Sequence, residues 1–236
     1  MRVIGIIQAR LSSRRLPGKI LMKLRDRPSL GFLIEALSHA ARLDAVVVAT
    51  STDPSDDATA AFAIAQGIPC HRGSLDDVAH RLLEAGEKHR ADAVVRINGD
   101  SPFMDPKLID HAVGLFQEAS VDVVTNVRPR TFPKGQSIEV IALTALRRAV
   151  ANMTTPAERE HVTPYLYAHP EEYAIRSFVT ADRRPEVQLS IDHAEDFARC
   201  AAILEALPAP PWQVGWRACV EAYDEFIVAQ SSVPFP

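Results

Sequence analysis

Short, nearly continuous apolar runs alternate along the chain with longer stretches of helical hydrophobic period. The runs predict strands over 3–8, 45–50, 93–97, 121–125, 138–143, 174–179 and 187–191. The first four are rich in Val and Ile with few polar breaks, which is how strands buried on both faces read. The periodic stretches predict helices over 30–42, 56–66, 76–89, 106–119, 156–168, 194–207 and 217–229. In the stretch 106–119, Leu108, Ile109, Ala112, Val113, Leu115 and Phe116 fall on one apolar stripe. Asp105-Pro106 offers an N-cap followed by Pro in the first turn, and Thr155-Pro156-Ala157-Glu158 reads as a capping box. Ser74 precedes Asp76 and Asp77, carboxylates suited to a helix N-terminus. Strand and helix in alternation imply βαβ units and a mostly parallel sheet, an α/β fold. The second half is less regular. Residues 128–136 read as a long polar loop and 208–211 as a turn before the last helix.

Composition narrows the class. The 236 residues, 47% hydrophobic and 24% charged, suit one α/β domain over 1–236 with a full core. A net charge of −4 and a pI near 6.1 argue against a binder of polymeric nucleic acid. Cys70, Cys200 and Cys219 form no C-x-x-C pair, and the eight histidines include no H-E-x-x-H. Free thiols suit a cytoplasmic location. Gln8 and Arg10 cut the first apolar run too early for a signal segment, and no run reaches the roughly 20 residues of a membrane span.

In open α/β sheets, ligands bind beyond the carboxyl ends of the strands. After the first strand come Arg10, Arg14, Arg15 and Lys19 on a loop with little apolar content. It is neither G-x-G-x-x-G nor a P-loop, since Ile20 follows Lys19 where Ser or Thr would stand. Clustered cations and free loop amides hold polyphosphates, although a solvated basic loop has the same composition. After the third strand, Asn98-Gly99-Asp100-Ser101-Pro102 is a turn by composition. After the last, Asp192 and Glu195 have cap spacing for the next helix. Either carboxylate alone is accounted for by turn or cap. Two carboxylates at strand ends opposite a basic loop are also what a Mg²⁺–nucleotide site requires.

These segments resemble the sugar-acid cytidylyltransferases. The likeness is nearest to the spore coat polysaccharide biosynthesis protein F-like branch. Acylneuraminate and 3-deoxy-manno-octulosonate cytidylyltransferases are more distant. It is carried by Gln8-Ala9-Arg10 and Arg15-Leu16-Pro17-Gly18-Lys19, by Val47-Val48-Ala49-Thr50, and by His71-Arg72-Gly73-Ser74-Leu75-Asp76-Asp77-Val78. It continues through Arg96-Ile97-Asn98-Gly99-Asp100-Ser101-Pro102, Phe132-Pro133-Lys134-Gly135 with Glu139-Val140, Arg159-Glu160-His161-Val162-Thr163-Pro164-Tyr165, and Leu189-Ser190-Ile191-Asp192. It covers residues 3–200 and stops near Ala206.

The resemblance implies a single-domain nucleotide-diphospho-sugar transferase (Rossmann-like) fold with a mostly parallel, mixed central sheet. It implies transfer of CMP from CTP to a 2-keto-3-deoxy sugar acid for surface polysaccharide biosynthesis, with magnesium as cofactor. Gln8, Ala9, Arg10, Arg15, Gly18, Lys19, Arg72, Gly73, Ser74, Asp77 and Asn98 would hold the nucleotide. Arg10, Lys19, Asp100 and Asp192 would be catalytic, the two aspartates as metal ligands. Lys134, Glu139, Glu160 and His161 would meet the acceptor. A homodimer and no membrane partner are expected. The pattern calls for an acidic residue two positions before Glu139, where this chain has Ser137. From the residues alone, Glu139 is equally a strand carboxylate on a solvated face, and His161 a polar helix residue. The rival readings are a related sugar nucleotidyltransferase or glycosyltransferase with another base or acceptor, and an inert nucleotide-sensing subunit. The glycosyltransferase is disfavoured by the lack of any Asp-x-Asp.

Overall fold

A computed structural model describes residues 1–13 and 15–231. The strands are β1 (Val3–Gln8), β2 (Lys23–Leu24), β3 (Arg27–Pro28), β4 (Ala45–Ser51), β5 (Cys70–Gly73), β6 (Ala93–Asn98), β7 (Val123–Thr125), β8 (Glu139–Ala142) and β9 (Ile175–Ser177). The helices are α1 (Ser29–Ser38), α2 (Asp57–Ala65), α3 (Val78–Lys88), α4 (Pro106–Glu118), α5 (Leu143–Asn152), α6 (Pro156–His161), α7 (Thr163–Ala168), α8 (Ala194–Ala206) and α9 (Pro211–Ser231). Seven strands form one sheet in the order β5-β4-β1-β6-β8-β7-β9. Only β8 runs against its neighbours, so the sheet is mixed and mostly parallel.

The continuous apolar runs are explained by burial on both faces. Val3 and Ile7 of β1 pack with Leu33 of α1, Ile109 of α4 and Ile203 of α8. Ile4 and Ile6 face the other way, with Leu82 of α3, Leu146 of α5 and Leu166 of α7. Each such side chain contributes about 1.5–3 kcal/mol when fully buried. Among the described residues no helix is long and apolar enough to cross a membrane.

The helix-start signals hold. Asp105 accepts from the Lys107 amide at 2.9 Å, and Thr155 and Glu158 form the reciprocal capping box. Other expectations need correction. The stretch 156–168 is two helices, broken at Val162 (φ 66) just before the turn that carries Pro164. The last helix starts at Pro211, before the expected 217, and is interrupted at Gly215 (φ 83). There the Asp105 carboxylate accepts from the Trp216 amide at 3.1 Å. Helix α5 was hidden behind the strand expected at 138–143, which ends at Ala142.

The strand expected over 187–191 is not part of the sheet. Val187, Leu189 and Ile191 do point inward, all fully buried. Their backbone pairs with loops: Lys134 N donates to Val187 O (2.9 Å), Leu189 N to Lys134 O (2.9 Å) and Ile191 N to Asp100 O (2.9 Å). Alternation reports a two-faced extended segment and is blind to what its amides bond. The close approach depends on Gly135 (φ 97), where a Cβ would lie 2.8 Å from the Leu189 carbonyl carbon.

Candidate active site

The carboxyl ends of β1 and β6 set the site. Gln8 and Asn98 are register partners, and Gly99 N donates to Gln8 O at 2.9 Å. A Cβ on Gly99 would sit 2.8 Å from that oxygen, so glycine lets the 99–102 turn lie on the chain leaving β1. Ala9 beneath it is buried. The basic loop then folds back. Gly18, at φ 74, donates its amide to Leu11 O at 3.0 Å, and Lys19 is turned inward to 8% exposure.

Lys19 spends all three ammonium donors at one point. Nζ donates to Asp100 Oδ2 (2.6 Å), Ile191 O (2.5 Å) and Asp192 Oδ1 (3.2 Å). Arg15 adds a contact to Asp192 Oδ1 at 2.7 Å. Arg14, the fourth cation of the loop, lies outside the described residues. The two carboxylates thus converge on one cation from chain positions far apart. Asp192 is not the cap of α8. The Asp196 carboxylate does that work, accepting from the amides of Asp192 (2.9 Å) and His193 (2.8 Å).

On the β4–β5 side, Arg10 donates to Leu75 O (3.3 Å) and Glu160 Oε1 (2.7 Å). Asp77 caps α3 through the His80 amide (2.8 Å) and receives Arg159 at 2.6 Å. Ser74 Oγ accepts from the Asp77 amide at 3.0 Å. These contacts seat α6 against the 73–77 turn, beside the basic loop. Arg72 is directed elsewhere: it grips Ser51 O (2.7 Å), Asp53 O (3.0 Å) and Asp57 (2.7 Å). Gly73 O accepts from the Thr52 amide at 2.9 Å. Asn98 and His161 are exposed. Gln8 Nε2 is buried with no partner among the described residues.

On the β8 side, Glu139 is 3% exposed, not on a solvated face. Its Oε2 accepts from Arg96 (2.6 Å) and its Oε1 from the Tyr167 hydroxyl (2.5 Å). Burial and the adjoining carboxylate push the Tyr167 phenol well above its ordinary pKa. Tyr167 therefore stays a donor to Glu139. Lys134 is exposed, its backbone bonded to the 187–189 segment.

Two groups escaped the sequence reading. Asp56, fully buried, accepts from Leu11 N (2.7 Å), Ser51 N (3.1 Å) and Ser51 Oγ, and so pins the root of the basic loop. It lies just past β4, where the strand-end rule already pointed. Arg81 is 1% exposed and donates to the carbonyls of Ser74 and Leu75. Burial, with Arg10 nearby, lowers its pKa to about 10. Nothing but its place one helical turn past Asp77 marked it. Cys200 and Cys219 are buried thiols, pushed up to about 12 by burial, and offer no nucleophile.

Comparison with known proteins places this arrangement. The cytidylyltransferase family model matches residues 4–208. Spore coat polysaccharide biosynthesis protein SpsF of Bacillus subtilis is 31% identical over 210 residues, 86% of each chain. The structure of a cytidylyltransferase from Leptospira borgpetersenii is similar with a TM-score of 0.92 at 30% identity, covering 100% of this chain and 99% of that one. CMP:2-keto-3-deoxy-manno-octonic acid synthetase, solved in complex with CTP, shares the fold with a TM-score of 0.68 at 19% identity, over 87% of this chain and 99% of its own. The chain belongs to the cytidylyltransferase family.

Proposed function

We propose that this protein transfers CMP from CTP to a sugar acid and releases pyrophosphate. The observation that carries the reading is the meeting of Lys19, Asp100 and Asp192 beyond β1 and β6. The acceptor hydroxyl gives up its proton to solvent as its oxygen bonds to the α-phosphorus, and the bond from that phosphorus to the bridging oxygen breaks, so that the oxygen leaves with pyrophosphate. Arg10 and Arg15 hold the triphosphate, Lys19 joins them by exchanging its contacts to the aspartates for phosphate oxygens, and together they stabilise the charge that gathers on the departing pyrophosphate. Positioning and electrostatics suffice for such chemistry, and no covalent intermediate is required.

Mg²⁺ fits the two aspartates. They already share one cation, and among the described residues no larger cluster of ligands forms. Magnesium commonly takes one or two carboxylates and fills its other positions with water and substrate phosphates. When bound it supplies charge neutralisation and lowers the pKa of a coordinated hydroxyl. An inert sensing subunit would have no need for the paired carboxylates.

Gln8, Ala9, Asn98 and the 73–77 turn line the nucleotide side, with Gln8 Nε2 a spare donor there. Arg72 supports that wall from behind through the 51–57 turn. Glu160, His161 and Lys134 remain candidates for acceptor contacts. Glu139 acts through Arg96 and Tyr167, since both its oxygens are engaged.

The test is pyrophosphate release from each nucleoside triphosphate with a panel of 2-keto-3-deoxy sugar acids. CTP is expected to exceed UTP at least tenfold in kcat/KM. A site that reads the cytosine amine and ring nitrogen leaves buried groups unpaired around uracil, at about 1–3 kcal/mol each. Equal use of both would sink the cytidylyl assignment and leave the phosphate site standing.

Lys19→Ala is expected to weaken CTP binding ten- to a hundredfold, because a charge-assisted phosphate contact is worth roughly 1.5–3 kcal/mol. Titration of CTP into the variant checks this. Wild-type affinity would exclude Lys19 from the triphosphate seat.

A further inference from the structure

The loop from 126 to 138 joins β7 to β8 at the same sheet end as the paired aspartates. Thr125 and Arg96 both stand opposite Glu139 in the ladders. Gln136 ties this loop to the turn after β6, its Oε1 accepting from Asp105 N at 3.0 Å and its Nε2 donating to Phe103 O at 2.5 Å. Arg96 pairs with Glu139, the guanidinium of Arg130 lies within reach of that charge, and Arg128 lies beside Tyr167. Arg96 and Tyr167 take both oxygens of Glu139. Arg128 lies over the Tyr167 ring, 5.1 Å from its centre, and donates to Tyr167 O at 3.4 Å.

Arg130 is left with a neutral partner. Its Nη1 donates to Ser137 Oγ at 3.1 Å, and among the described residues no carboxylate pairs with it. Burial lowers its pKa, opposed by the nearby Glu139 charge, so its cationic form is short of solvation. A guanidinium carries five donors in a planar fork matched to a carboxylate, and one hydroxyl leaves most of the fork unused.

We infer that Arg130 is the seat of the acceptor's carboxylate, its fork answered within the chain by one hydroxyl. This rests on the sugar-acid reading above. The triphosphate cations belong to the loop after β1, and Arg130 stands on the separate loop between β7 and β8. The effect of Arg130 variants on CTP affinity separates an anion at Arg130 from the triphosphate. β8, which the β7–β8 loop enters, lies beside β6 on the side away from β1.

Arg130→Gln removes the fork. It is expected to raise the KM of a 2-keto-3-deoxy sugar acid ten- to a hundredfold, as loss of a charge-assisted pair does. CTP affinity should stay within about twofold, which also reports that the variant is folded. Arg130→Lys keeps the charge without the fork and should fall between. The carboxamide of the same sugar should be a poor acceptor for the wild type and respond little to either change.

Binding of the acids to enzyme loaded with a non-hydrolysable CTP analogue is measured in parallel. An acid turned over with the same KM by wild type and Arg130→Gln overturns the seat and leaves the transfer reading intact. A preference for the carboxamide overturns the seat together with the sugar-acid acceptor. If no acid is turned over but one binds in an Arg130-dependent way, the seat stands and the transfer reading falls. If no binding depends on Arg130, the seat falls.

Discussion

Asp100→Asn and Asp192→Asn are each expected to lower kcat about a thousandfold at saturating CTP and Mg²⁺. A bound divalent ion contributes several kcal/mol to charge stabilisation in phosphoryl transfer, and about 4 kcal/mol is a thousandfold in rate. Stability should move by only a few degrees. Each carboxylate is about a quarter exposed, and Lys19 keeps the other one when either is neutralised. Two carboxylates on one cation also repel each other, and removing one charge relieves that. The experiment separates this role from helix capping, which the spacing of Asp192 and Glu195 also allowed. Asn caps as well as Asp, so a capping residue would tolerate the change. In the structure Asp196 carries the cap, with both amides on its Oδ2 and Arg199 on Oδ1. Wild-type turnover in both variants would remove the metal from these residues.

The parts of this molecule that could be read from the chain are those specified locally. β1, β4 and β6 were visible as Val- and Ile-rich runs because both faces of each are buried. The capping box at Thr155 and the Asp105-Pro106 start were visible because their partners lie within four residues. What stayed hidden depends on partners distant in sequence. Lys19 and Asp192 are 173 positions apart, and no period links them. Segment 187–191 has the alternation of a strand, yet its amides bond the 133–135 loop and Asp100. A helix over 156–168 has acceptable periodicity, but Val162 turns to φ 66 before Pro164. Glu139 in the strand pattern looked equally fit for solvent, because the Arg96 that neutralises it lies 43 positions away.

That pair sets the second large effect. Arg96→Leu is expected to destabilise the protein by about 3–5 kcal/mol, the usual result of leaving a buried charge without its partner. For a chain of this length the melting temperature should then fall by roughly 6–20 °C. The side chains of Arg96 and Glu139 are only 15% and 4% exposed, so water cannot take over the solvation of the orphaned carboxylate. Tyr167 would keep one hydrogen bond to it but carries no charge. Replacing both partners, Arg96→Leu with Glu139→Leu, should recover most of the loss. Desolvating two ions consumes most of what their attraction returns. Tyr167 would still have Thr125 Oγ1 at 2.9 Å. The double-mutant cycle should therefore show coupling of several kcal/mol, far above the 0.2–1 kcal/mol typical of an exposed pair. A single variant that melts within about 2 °C of wild type would mean that solvent reaches Glu139 after all. The start of β8 would then lose the dry wall against which Tyr167 is set.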